Sequence, residues 1–76
     1  MDEQKLRAHI DGLEAQLSAA QNALNEARSR YRSGLNDYLP VLTQLLSVQN
    51  LERTILDRTA DLLVARVELY RALGGS

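Results

Sequence analysis

Apolar or small residues at Leu6, Ile10, Leu13, Leu17, Ala20, Leu24, Ala27 and Tyr31 follow one another at spacings of 4, 3, 4, 3, 4, 3 and 4, without a slip. Such a rhythm sets them along one face of a helix and is the seam of a coiled coil, so this arm is expected to lie along another helix. The remaining faces carry Gln, Asn, Ser, Arg and Glu together with Ala8, Ala15, Ala19 and Ala23. Glu26 and Arg30 form a favourable i,i+4 pair. Gly12 is the one defect, costing about 1 kcal/mol against Ala inside a helix.

The seam stops at Ser33-Gly34-Leu35-Asn36-Asp37-Tyr38-Leu39-Pro40, where Gly, Asn, Asp and Pro gather. This composition predicts a tight turn between helices. Gly34 can take the left-handed conformation that closes a helix, and Asp37 can accept a bond from the free amides of the next one. Pro40 would then be the third helical residue, where its missing N–H is not needed. Were Asn36 the cap, Pro40 would forfeit a hydrogen bond.

Beyond the break, Val41, Val48, Ile55, Leu62 and Leu69 recur every seven residues, with Leu42, Leu56, Leu63 and Tyr70 one position later and Leu45 and Leu73 four positions later. From Leu51 and Ala65 round to Leu42 and Leu63 the apolar arc covers roughly 160° of the helix, more than a two-stranded seam needs. This arm therefore has more than one neighbour.

The arms match about Asn36: Tyr31 with Val41, Leu24 with Val48, Leu17 with Ile55 and Ile10 with Leu62 lie equidistant from it. The expected fold is all-α, a long antiparallel two-helix hairpin. Its first helix spans about residues 2–33, its turn 34–37 and its second helix 38–73. Each arm would be on the order of 50 Å long. Burying about ten large side chains against the ordering of the whole chain leaves two helices alone marginal. The wide arc is thus expected to join a homo-oligomer or a larger helical bundle.

Composition removes other classes. Nine Lys or Arg against ten Asp or Glu, interspersed, give a net charge of -1 and no nucleic-acid footprint. The absence of Cys removes disulfides and thiolate metal sites without fixing a compartment. The longest apolar run, Leu62 to Ala65, is far short of a membrane span, and Met1-Asp2-Glu3-Gln4-Lys5 does not read as a secretion signal. This segment is therefore not expected to insert into a membrane. No phosphate loop, ligand cluster or nucleophile with a base partner appears, so catalytic residues, metal and cofactor are all expected to be none.

The run Arg30-Tyr31-Arg32-Ser33-Gly34-Leu35-Asn36-Asp37-Tyr38-Leu39-Pro40-Val41-Leu42 is followed, about 27 residues on, by Leu69-Tyr70-Arg71-Ala72-Leu73-Gly74-Gly75. The pattern R-Y-x-x-G-x-x-x-Y-L-x-V-L and, at fixed distance, L-Y-x-A-L-G-G resembles the last periplasmic helical hairpin of the TolC/OprM outer-membrane factor family. The resemblance spans essentially the whole chain. It implies a trimeric export channel in the outer membrane whose full subunit adds a secretion signal, a β-barrel and a first, related hairpin. The 76 residues are accordingly expected to be a periplasmic piece of a longer chain, with Met1 and the closing Gly-Gly-Ser as cut ends.

The resemblance further implies that hairpins from three subunits form a hollow α-helical barrel. Its tips narrow the channel and meet a periplasmic adaptor protein, and through it an inner-membrane pump. Gly34 matches the glycine at the family's tip, and Leu35, Asn36 and Asp37 fall in the turn expected to meet the adaptor. Tyr31 matches an aromatic that helps to hold the entrance closed in some members, and Tyr38 is its neighbour as a possible gating residue. Pro40 and Thr43 fall where TolC-type members carry acids that ring the constriction, and this chain has neither acid there. The helix-packing seam is assigned to Ile10, Leu17, Leu24, Val48, Ile55 and Leu62.

Simpler readings stand beside these. Gly34 and Pro40 can be helix punctuation, and Tyr31 and Tyr38 can shield the hairpin end. Arg28, Arg30 and Arg32 form a basic cluster that a helix spreads around its surface, as compatible with solvated charges as with an adaptor contact, and no firm role is assigned to them. His9 has no companion ligands. Asp57 and Asp61, flanked by Arg53 and Arg58, read as an exposed face. Two rivals remain: a generic coiled-coil oligomerisation module, and the hairpin of a periplasmic adaptor. The second arm is too widely apolar for a two-stranded coil. The adaptor tip carries an Arg followed four residues on by Leu and seven further by Ser, which none of the three arginines shows.

Overall fold

The computed structural model describes residues 3–74 as two helices, α1 (Glu3–Arg32) and α2 (Leu39–Ala72). Met1, Asp2, Gly75 and Ser76, and with them the expected first helical position at residue 2 and the cut ends, lie outside the described residues. The helices run antiparallel as a rod of 62 × 16 × 14 Å. No strand occurs among the described residues, and the expected all-α hairpin is the fold.

The seam of α1 faces α2. Leu6, Ile10, Leu13, Leu24 and Ala27 are buried, and Leu17 and Ala20 are half-buried. On α2, Val41 and Val48 are buried, while Gln44, Leu45, Leu51, Thr54, Ile55, Arg58, Leu62 and Ala65 are half-buried and continue the inner row at three- and four-residue steps. The densest packing lies in the half next to the turn, where Leu24, Ala27, Val41 and Val48 cluster with Leu17, Ala20 and Leu45 against them. At the open end, Arg66 Nε donates to Glu3 Oε1 at 2.6 Å and ties one arm to the other.

The turn is built as the sequence suggests, with one shift. Gly34 has φ +75°, its N–H donates to the Tyr31 carbonyl at 3.0 Å, and the Leu35 N–H donates to the Arg30 carbonyl at 2.9 Å. This pair of bonds is a Schellman closure, and the left-handed φ is what reserves the position for glycine. The Asp37 carboxylate accepts the N–H of Leu39 at 3.0 Å. Tyr38 flanks α2 with helical dihedrals (φ −80°, ψ −15°), and its carbonyl accepts the N–H of Leu42. Counted from Leu39, Pro40 is the second residue of α2 rather than the third, because the helix range opens after Tyr38. It still falls where an N–H would have no partner within the helix.

Tyr31 departs from the seam. It closes the heptad row in the sequence, yet it is 46% exposed and its ring meets Tyr38 edge-on, with centroids 5.1 Å apart and an interplanar angle of 77°. The chain leaves the helix two residues later, so the last ring turns to the neighbouring aromatic instead of stacking deeper between the arms.

Candidate protein-interaction site

Two surfaces stand apart from the packed interior. The first is the tip. Gly34, Leu35, Asn36 and Asp37 occupy it together, held by the Schellman bonds on one side and the Asp37 to Leu39 bond on the other. Leu35 is 71% exposed, an apolar side chain offered to solvent on a backbone that hydrogen bonds fix. Asn36 is half-buried beside it. Tyr31 and Tyr38 stand directly behind, in contact with each other. Pro40 is half-buried in the first turn of α2 and Thr43 is exposed, so neither position brings an acid to the tip.

The arginines divide. Arg30 is paired with Glu26, its Nη2 lying 3.3 Å from the carboxylate. Arg28 and Arg32, four residues apart and so on one face, line a cleft of about 140 Å³ with Tyr31, Tyr38 and Val41. The helix thus spreads the three arginines over two faces, and Arg28 and Arg32 share one of them through an i,i+4 spacing that the equal two-residue steps obscure in the sequence.

The second surface runs along α2. Leu39, Leu42, Leu46, Gln49, Arg53, Leu56, Ala60, Leu63, Val67 and Tyr70 succeed one another at steps of 3 and 4, a second heptad row interrupted at Gln49 and Arg53. Its large members are exposed, from 42% at Leu42 to 74% at Tyr70. By contrast, the seam residues Ile10, Leu17, Leu24, Val48, Ile55 and Leu62 are buried or half-buried between the arms. Measured around the helix, the outer row lies about 150° from the inner one.

Near the open end, Leu6, Arg58, Asp61, Val64, Ala65 and Glu68 line an open cleft of about 350 Å³. Arg58 belongs to the inner row of α2, a position the apolar pattern did not reveal, and its Nε is shielded from solvent without a hydrogen bond. Asp61 Oδ2 lies 3.3 Å from that nitrogen as an ion pair. Among the described residues, no three His, Asp or Glu side chains come together as a metal site would require, and His9 is exposed. Neither helix is long and apolar enough to cross a membrane. The exposed surfaces are an aromatic and basic tip and an apolar flank.

Comparison with known proteins gives a single assignment. A family model described as outer membrane efflux protein matches residues 2–75, both helices and the turn included. No curated protein and no solved structure matches the chain. The matched span takes in both motifs, from Arg30-Tyr31 through Gly34 to Leu73-Gly74-Gly75. This hairpin therefore belongs to the outer membrane efflux protein family, a family of transport channels.

Proposed function

We propose that the chain is the periplasmic helical hairpin of an outer-membrane efflux channel subunit, packing side by side with other hairpins into an α-helical barrel and offering its tip to a periplasmic adaptor. The observation that carries this reading is the exposed outer row of α2, with Leu56 at 70% and Leu63 at 56% exposure. A helix bearing two heptad seams needs a neighbour on each side, and one hairpin supplies only one.

The angle between the seams supports a ring. Neighbours set about 150° apart bend a wall of helices by about 30° at each one, so the wall closes after about 12 helices. Three subunits with two related hairpins each would supply that number. The adaptor and the inner-membrane pump enter as partners through the family resemblance and through the exposed Leu35 on its rigid turn. The mechanism is geometric: a small rotation of packed arms changes the entrance diameter while Gly34 to Asp37 hold the dock. Tyr31 and Tyr38, in contact behind the tip, are the pair that such a rotation would move.

The test uses the full-length channel. Leu56→Asp with Leu63→Asp is expected to remove most of the assembled trimer from the outer membrane while leaving subunit synthesis unchanged. Leu35→Asp is expected to leave the trimer intact and to lower adaptor capture and export at least fivefold. Normal assembly of the first variant would end the barrel reading, and normal capture by the second would end the docking reading.

A further inference from the structure

The tip carries positive charge that no acid among the described residues answers. Glu26 is taken by Arg30 at 3.3 Å, and Asp37 turns its carboxylate to the Leu39 amide at 3.0 Å. Arg28 and Arg32 are exposed, and neither has an acidic partner among the described residues. They are like charges four residues apart on a helix, a spacing that is unfavourable when nothing lies between them. An anion seated between them would reverse that cost.

The space between them has a definite shape. The cleft of about 140 Å³ is lined by Arg28 and Arg32 together with Tyr31, Tyr38 and Val41. Of these, Val41 is 2% exposed and packed in the core cluster. The rings brace each other edge-on at 5.1 Å, so one wall is held in place before any ligand arrives. A planar acceptor matched to two guanidinium forks is a carboxylate, which each Arg can meet with paired N–H donors. The volume suits one short acidic side chain with an apolar neighbour resting on a ring, and not an extended polyanion.

We infer that Arg28 and Arg32, with Tyr31, Tyr38 and Val41, form a receptor for a single carboxylate side chain of the protein that docks on the tip. The inference rests on the tip-docking reading above and adds the chemistry of the partner: an Asp or Glu beside an apolar residue. Leu35 provides the apolar contact at the end of the hairpin, and the arginine pair fixes orientation a helical turn behind it.

Two measurements test it. The first titrates the 76-residue chain with the blocked tetrapeptide Gly-Asp-Leu-Gly and its Asn counterpart, reading the side-chain N–H signals of Arg28 and Arg32 and the ring signals of Tyr31 and Tyr38 by NMR. The Asp peptide is expected to shift these signals with a millimolar midpoint and to leave Arg53 and Arg71 unmoved. The response should be absent with the Asn peptide, lost in Arg28→Gln with Arg32→Gln, and weakened in the double Lys variant. Equal shifts from both peptides, or shifts spread over all the arginines, would overturn the inference, as would inorganic phosphate competing at equal concentration.

The second compares variants of the full-length channel. Arg28→Gln with Arg32→Gln is expected to weaken adaptor binding at least fivefold and to flatten its salt dependence, with trimer assembly unchanged. If Leu35→Asp abolishes capture and the double Gln variant does not, the carboxylate receptor is wrong and the docking tip stands. If neither variant matters, the docking reading has failed and the receptor with it.

Discussion

The two helices of the hairpin handle apolar surface in opposite ways. α1 buries five of its apolar residues and leaves only Tyr31 as a large exposed one. α2 buries Val41 and Val48 and leaves nine large apolar residues exposed, from Leu39 to Tyr70. A narrow stripe is consumed by one partner, whereas a wide one is only half used. The helix with more apolar residues is thus the less buried, and that inversion leaves α2 as the arm whose apolar surface the hairpin does not use.

The sharpest way to break this comparison is to shorten a leucine on each arm. Leu24→Ala, in the cluster with Val41 and Val48, is expected to cost about 3 kcal/mol of hairpin stability in chemical denaturation. Leu56→Ala, on a side chain already 70% exposed, should change it by less than about 0.5 kcal/mol. Equal costs would mean that the outer row is covered within the chain itself.

Smaller effects refine the inner faces. Arg58→Met keeps the apolar stem and removes a shielded nitrogen that lacks a hydrogen bond, together with its ion pair to Asp61, so it should raise stability by at most about 1 kcal/mol. On α1, Gly12→Ala should add a similar or slightly smaller amount, about 0.8 kcal/mol, because a methyl there meets nothing within 4 Å. Both are read from the denaturation midpoint at a fixed chain concentration. Glu3→Gln, which removes the carboxylate charge from the 2.6 Å contact with Arg66, should cost below about 0.5 kcal/mol, since both side chains are substantially exposed. A larger loss would make this pair, rather than the apolar layers, the keeper of the register.

The sequence carried the helices and the turn plainly. Seven unbroken heptad steps leave little choice for residues 6–31, and a glycine followed by Asn, Asp and Pro gives the closure and reopening their chemistry. What it carried poorly depended on side-chain length and direction. Arg58 was legible as a charged neighbour of Asp61, not as a member of the inner row, because a long stem can lie in a seam while its head reaches water. Tyr31 was legible as the last heptad residue, not as an outward ring, because the heptad rule assumes that the helix continues. The cleft at Arg28 and Arg32 needed the Tyr38 ring from the far side of the turn, which no local spacing describes.

The concentration of tight packing beside the turn makes the rod stiff at one end and looser at the other. Leu24, Ala27, Val41 and Val48 clamp the bend with both arms buried, while farther off Leu6, Ile10 and Leu13 stay buried but Ile55, Leu62 and Ala65 on the other arm are only half covered and an exposed ion pair spans the gap. The object behaves as a tuning fork held at its bow: whatever spreads or twists the tines is delivered to the bow as a tilt of one solid piece. A dock placed there would feel motion from above without losing its own shape.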